Sequence, residues 1–302
     1  FVSERYEDWI AIERKSGAST IARLRSCFEP EFGDRKLSEI NAWVIEKWRS
    51  GRLRKGISPA TVNRDIGALK AMLQRAVRWG VLDQNPLAEL KPKKTDKRPM
   101  VRFLDESEER NLRKALDDRE ALLARRRASN NAWRAARGKA PLPPVHDNLK
   151  PLVLLAMNTG LRRGELFNLR WSDIDFERST LSIHGYQVKS NHTRHIPLNY
   201  EARSVLEEHK KGRTNSDFVF PNRKGQRLGN VKRSWSTILE MAKVNNFRFH
   251  DLRHHFASRL VMVGVPINTV RELLGHSDMN MTLRYAHLAD HHTAEAVARL
   301  AR

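Results

Sequence analysis

The sequence predicts a mainly α-helical protein with a small antiparallel β-sheet, built in two parts. Three observations lead there. Apolar residues recur at helical spacing through most of the chain, and short alternating stretches cluster between residues 180 and 220. A proline-punctuated basic run, residues 91–102, separates an all-helical stretch from a mixed one. The 302 residues suffice for two units, each burying its own core.

Residues 1–90 read as four or five packed helices. Val2, Tyr6, Trp9, Ile10 and Ile12 form a first apolar stripe, and Ser19 is placed to cap a second helix through Ile21, Leu24 and Phe28. Asn41 caps a third, carrying Trp43, Val44, Ile45 and Trp48. Ser58 and Pro59 supply a cap and a first-turn proline for a fourth, whose face of Val62, Ile66, Leu69, Leu73, Ala76 and Val77 runs down to Gly80.

Residues 91–102, KPKKTDKRPMVR, read as an extended linker. A helix opens near Asp105 with acidic residues in its first turn, where the helix dipole favours them. Residues 125–147 are biased toward arginine and end in prolines, which suggests an inserted, partly helical and mobile excursion. PLVLLAMNTG is a buried helix stopped by Gly160. TLSIH (180–184) and TRHIPL (193–198) read as strands with Lys189 in or beside their turn, and FVF (218–220) as a third strand or extended piece. The chain is then helical through 250–285 and closes with TAEAVARLAR.

Lysine and arginine outnumber aspartate and glutamate 56 to 35, a formal charge of +21. Such an excess repels itself unless a polyanion neutralises it, so nucleic acid is the expected partner. Long amphipathic segments and the lack of a lysine-rich tail argue against a ribosomal or membrane-surface protein. No apolar run approaches the roughly 20 residues of a membrane span, and no signal peptide is read. The single cysteine, Cys27, cannot form an internal disulfide, which fits a reducing cytosol; with nucleic acid as partner, a nucleoid-associated location is expected there. A start at Phe1 leads us to expect a segment upstream. Arg52, Arg54, Lys55, Arg64, Lys70, Arg75 and Arg78, with Lys93 and Lys94 of the linker, are expected to touch phosphates.

The chemistry concentrates in residues 250–285, HDLRHHFASRLVMVGVPINTVRELLGHSDMNMTLRY. His250 and Arg253 share one helix face at i, i+3; His276 follows Gly275; Tyr285 follows a polar turn. Imidazoles, a guanidinium and a phenol suit a phosphodiester with Tyr285 as nucleophile. A rival reading is zinc, because His250 and His254 stand at i, i+4. It lacks a glutamate after the first histidine and a third ligand, and Arg253 would repel the cation. Neither metal nor other cofactor is therefore expected, and His254 and His255 read either as packing residues or as residues that support the site from behind.

TGLRRGEL (159–166), the lysine of QVKSNHTRHIPL, HDLRHHFAS (250–258) and LLGHSDMNMTLRY (273–285) together resemble the signature boxes of the tyrosine recombinases, phage-type integrases and Xer-like proteins. The resemblance implies that Arg162 and Arg253 clamp the scissile phosphate and that Glu165 supports them. It makes Lys189, eight residues ahead of Pro197, the general acid, with Lys224 as the competing candidate. His250 would exchange a proton with Tyr285, and His276 would hydrogen-bond the phosphate. It further implies a helical core-binding domain (1–90) and a catalytic domain (103–302) forming a C-shaped clamp on double-stranded DNA. Metal-independent strand exchange would run through a 3′-phosphotyrosyl intermediate in a homotetramer on two sites. The last helix, with Ala294, Val297, Ala298 and Leu300, would dock on a neighbour, and accessory DNA-bending or directionality proteins could take part. Two departures stand out: the 125–147 insertion, and no recognisable small N-terminal arm-binding domain. A type IB topoisomerase-like relaxing enzyme and a non-catalytic DNA-binding regulator are the competing classes; a phage, an integrative element or a genomic island would each supply such a gene.

Overall fold

The computed structural model describes residues 1–95, 101–143, 145, 147–184, 193–211 and 216–289. The chain divides into two compact units, Phe1–Pro99 and Met100–Arg302.

The first unit is all helical: α1 (Glu7–Glu13), α2 (Gly17–Cys27), α3 (Glu29–Phe32), α4 (Ala42–Arg54) and α5 (Pro59–Arg78). Asn41 and Ser58 cap α4 and α5 as expected, their side-chain oxygens accepting the N–H of Val44 and Thr61. Ser19 does not cap α2. That helix starts at Gly17, where a β-carbon would stand 2.3 Å from the Ile10 carbonyl oxygen so that only glycine fits, and Ser19 donates to the Ser16 carbonyl at 2.9 Å. Ile12 leaves the α1 stripe and is 86% exposed. It lies about 200° around the helix from the fully buried Ile10. Tyr6, Ile10, Leu24, Phe28, Ile45, Trp48, Val62 and Leu73 make the core.

The second unit opens with α6 (Glu106–Ala135), fixed by a reciprocal capping box between Asp105 and Glu108. Residues 125–135 of the expected excursion are simply the last turns of this 30-residue helix. No proline or glycine interrupts them before Gly138, whose positive φ turns the chain. The buried helix α7 (Leu149–Thr159) and the short α8 (Arg163–Asn168) follow. An antiparallel sheet of β1 (Ile174–Asp175), β2 (Thr180–Ile183) and β3 (Arg194–Pro197) runs in the order β1-β2-β3, with Leu181 opposite Ile196. The two expected strands are there. The third comes from Ile174–Asp175, not FVF; Phe218 makes only an isolated bridge to Arg170 while Val219 and Phe220 enter the core.

Five further α-helices follow among the described residues: α9 (Tyr200–Lys210), α10 (Lys232–Ala242), α11 (Asp251–Met262), α12 (Ile267–Leu274) and α13 (Asn280–Leu283). A small apolar cluster of Phe256, Ala257, Val261, Val270 and Leu274 encloses Tyr285, which sits in the turn after α13. No helix among the described residues is long and apolar enough to cross a membrane.

Candidate active site

Two helix ends set the site's geometry. α7 stops at Gly160 (φ 61°) and α12 at Gly275 (φ 63°), both left-handed. A left-handed cap turns the chain away and leaves last-turn carbonyls available, at the end where the helix dipole is negative. Guanidinium groups fill both places. Arg253, on α11, donates through Nη1 to the Gly160 carbonyl at 2.7 Å and through Nη2 to the Leu274 carbonyl at 2.5 Å. Arg162, just ahead of α8, donates through Nη2 to the Gly275 carbonyl at 3.1 Å. Neither glycine has room for a side chain: a β-carbon on Gly160 would stand 2.3 Å from the Phe256 ring, and one on Gly275 2.6 Å from Arg194 Nη1.

Arg253 is 3% exposed, and no carboxylate forms an ion pair with it among the described residues. Burial, then the neighbouring charge of Arg162, brings its pKa down to about 9, still high enough to keep it cationic at neutral pH. Glu165 balances the rest. Its buried carboxylate accepts the Arg162 N–H (2.8 Å) and Nη1 (2.9 Å), and both Arg194 Nη2 (2.7 Å) and Nη1 (3.1 Å). Burial alone would raise its pKa; the Arg194 hydrogen bond and charge, with Arg162, outweigh that and hold it below the usual range. Arg194 was not anticipated. At the first position of β3 it has no charge partner nearby in sequence, and only the packing of the sheet on α8 supplies one.

His276 follows Gly275, and its Nδ1 lies 2.9 Å from the hydroxyl of fully buried Thr282, which fixes the ring. Burial first, then Arg253 and Arg162, pushes its pKa down to about 3, so the imidazole is neutral. His250 stands at the N-terminus of α11, also shifted downward, by burial and then by Arg253.

Tyr285 is 1% exposed, and its Oη lies 2.6 Å from Nδ1 of His254. Burial raises the phenol to about 12 against the opposing charges of Arg253 and Arg284. Burial and His250 take His254 down to about 4. Of the two roles expected for His254, packing or support, the contact with the phenol goes beyond packing; among the described residues no hydrogen bond joins His250 to Tyr285, and the two histidine rings meet edge-on at 5.3 Å. The available signal was the i, i+4 spacing of His250 and His254, which we weighed only as a rival zinc pair and set aside. Nδ1 of His254 is occupied by the phenol, and no group of three His, Cys, Asp or Glu converges among the described residues. His255 faces away, with Nε2 3.4 Å from Glu109.

Lys189 and the 294–300 segment lie outside the described residues. Lys224 is exposed in a turn where its N–H bonds Asn222. In the first unit Arg54, Lys55, Arg64, Arg78, Lys93 and Lys94 are exposed. Arg52, Lys70 and Arg75 have internal partners instead. Arg52 joins Arg23 on buried Asp65, Lys70 donates to the Ala88 carbonyl, and Arg75 lies 3.8 Å over the Trp9 ring. Two guanidiniums, neutral imidazoles and a phenol in one place make a receptor for a tetrahedral oxyanion beside a nucleophile.

Residues 102–292 match the phage integrase family and residues 3–94 the phage integrase N-terminal domain. The integrase of Salmonella phage P22 is 31% identical over 253 residues, 80% of this chain and 57% of that protein, so the chain spans little more than half the length of that relative. The tyrosine recombinase XerC of Pseudomonas fluorescens is 29% identical over 303 residues, 96% of this chain and 92% of that one. In fold, the chain is similar to the Tn1549 transposon integrase in complex with a circular intermediate DNA (TM-score 0.71, 19% identity, 98% of both chains). It is also similar to a lambda integrase dimer bound to a COC′ core site (TM-score 0.66, 20% identity, 92% of this chain and 94% of that one). The match covers most of the chain and includes the segments that build the arginine, histidine and tyrosine cluster: this chain belongs to the phage integrase family, tyrosine recombinases that cut and rejoin DNA strands.

Proposed function

We propose that the protein is a site-specific recombinase of duplex DNA in which Tyr285 attacks the scissile phosphate and leaves a 3′-phosphotyrosyl bond. The observation that carries this reading is the convergence of Arg162, Arg253, His276 and Tyr285 from four separated segments, with the two arginines fixed on helix-end carbonyls. Arg162 and Arg253 hold the nonbridging oxygens and favour the pentacoordinate state as its charge builds, the part a divalent cation would otherwise play. His276 donates a hydrogen bond to the same phosphate, and His250 lines its approach. Lys189 protonates the departing 5′-oxygen. The phosphotyrosyl bond conserves the energy of the broken linkage until a 5′-hydroxyl from another strand attacks it.

In this reading residues 1–90 are the core-binding domain, 91–102 a linker and 103–302 the catalytic domain, and both domains bind the DNA. Arg54, Lys55, Arg64, Lys93 and Lys94 contact phosphates, and Arg52, Lys70 and Arg75 act mainly inside the bundle. Exchange takes place in a homotetramer on two sites at the nucleoid, as the fold likeness to a lambda integrase tetramer bound to a Holliday junction supports.

The test is incubation with a nicked suicide duplex in EDTA, followed by denaturing electrophoresis. A covalent adduct formed by the wild type and absent from Tyr285→Phe is expected. No adduct from the wild type, or its persistence in Tyr285→Phe, rejects the reading, and relaxation of site-free DNA would favour a topoisomerase.

A further inference from the structure

Tyr285 must lose its phenolic proton in forming the phosphotyrosyl bond, and the structure puts one ring nitrogen in contact with that phenol. The separation of 2.6 Å from Oη to His254 Nδ1 is a direct hydrogen bond. We propose that His254, rather than His250, accepts the proton of Tyr285 during cleavage and returns it during rejoining. The inference rests on Tyr285 being the nucleophile.

The step balances as follows. The phenol donates its hydrogen bond to the unprotonated Nδ1. As the Oη–phosphorus bond forms, the oxygen loses basicity, its proton becomes strongly acidic, and it passes to Nδ1. The bond from phosphorus to the 5′-oxygen breaks, and that oxygen takes a proton from a separate acid, Lys189 in the reading above. In the reverse step a 5′-hydroxyl attacks and gives its proton back to the now-neutral Lys189, the bond from phosphorus to Oη breaks, and His254 reprotonates the departing phenolate. A weak base suffices, because the proton leaves an oxygen already bonded to phosphorus. Burial keeps the ring neutral before attack, so the lone pair is available.

Among the described residues, local geometry gives this contact to His254 alone. His250 and His254 stack edge-on along α11 at 5.3 Å, and the turn after α13 brings the phenol to the second ring. The titratable and charged groups around His254 are His250, Asp251 and Arg248 at the start of α11, and Arg284 and Tyr285 after α13. The imidazolium that forms is next to cations, so it is short-lived and hands its proton back readily.

The experiment measures single-turnover cleavage by the full chain as wild type, His254→Ala, His254→Gln, His250→Gln and Tyr285→Phe, at neutral and alkaline pH. It is repeated with a duplex whose bridging 5′-oxygen is sulfur, a leaving group that needs no proton. Loss of a general base costs roughly 10²–10⁴-fold. Both His254 variants should lose that much at neutral pH, regain rate as hydroxide rises, and gain nothing from sulfur. A more acidic fluorotyrosine at position 285 should relieve the His254→Ala defect, which keeps the test decisive if one variant folds poorly. Near wild-type rates in the His254 variants, restoration by glutamine or rescue by sulfur each overturn the proposal. Tyr285→Phe judges the nucleophile separately: an adduct there removes the premise, while its absence leaves His254 to be decided by its own variants.

Discussion

Arg253 donates a 2.7 Å hydrogen bond to the carbonyl of Gly160, seating a buried guanidinium on the C-terminus of α7. Its second arm reaches the Leu274 carbonyl at the end of α12, so one side chain ties three helices together while remaining cationic. A lysine cannot reproduce this, because a point charge cannot hold two fixed carbonyls and still offer a planar fork to an anion. Arg253→Lys should cut single-turnover cleavage by at least about 100-fold. A loss smaller than ten-fold would show that charge alone matters here.

The left-handed glycines lead to a stability prediction. Alanine at Gly275 meets both the backbone cost of its φ and the Arg194 guanidinium 2.6 Å away, which would be driven off Glu165. Gly138 has φ 61° but nothing within 4 Å of a β-carbon. Urea denaturation should show Gly138→Ala costing about 1 kcal/mol or slightly more and Gly275→Ala costing clearly more, about 2–4 kcal/mol. Equal losses would mean that Arg194 gives way freely.

Acid should weaken the packing of α6 on α11. Glu109 is held at about 2, below the ordinary 4.5, chiefly by its hydrogen bond with His255, with burial opposing and Arg113 adding to it. Arg259 also reaches it, at 2.8 Å. A carboxylate with a depressed folded pKa stabilises the fold fully above its unfolded value and loses that contribution as pH falls toward the folded one. The window here runs from pH 4.5 down to about 2. In Glu109→Gln the urea midpoint should be lower at neutral pH and fall less steeply through that window. Parallel curves for the two proteins would contradict the assignment.

Tyr285 is enclosed by the protein's own fold. Tyr200 is 87% exposed, whereas Tyr6 is 2% and Tyr285 1%. Tetranitromethane should therefore nitrate Tyr200 quickly in the free protein and spare the other two, as read by peptide mass spectrometry. Equal labelling of Tyr285 and Tyr200 would show that the phenol is already open to solvent.

The sequence by itself determined the helical content, the caps at Asn41 and Ser58, the helix start near Asp105, the two main strands and the family-like set of arginines, histidines and tyrosine. These are local in origin: capping needs an oxygen three residues from an N–H, strand alternation has a period of two, and the boxes are contiguous. Gly160 was legible as a helix stop for the same reason. What Gly160 and Gly275 do for the site was not, because a carbonyl's partner is chosen by how helices pack. Tertiary structure decided that Arg194 shares Glu165, that Arg253 bridges α7 and α12, that Asp65 draws Arg52 inward, and that Ile174–Asp175 completes the sheet. It also decided which of two histidines on one helix face touches the phenol. Their spacing makes them equivalent in sequence, and only the turn after α13, closing over a small apolar cluster, brings Tyr285 to His254.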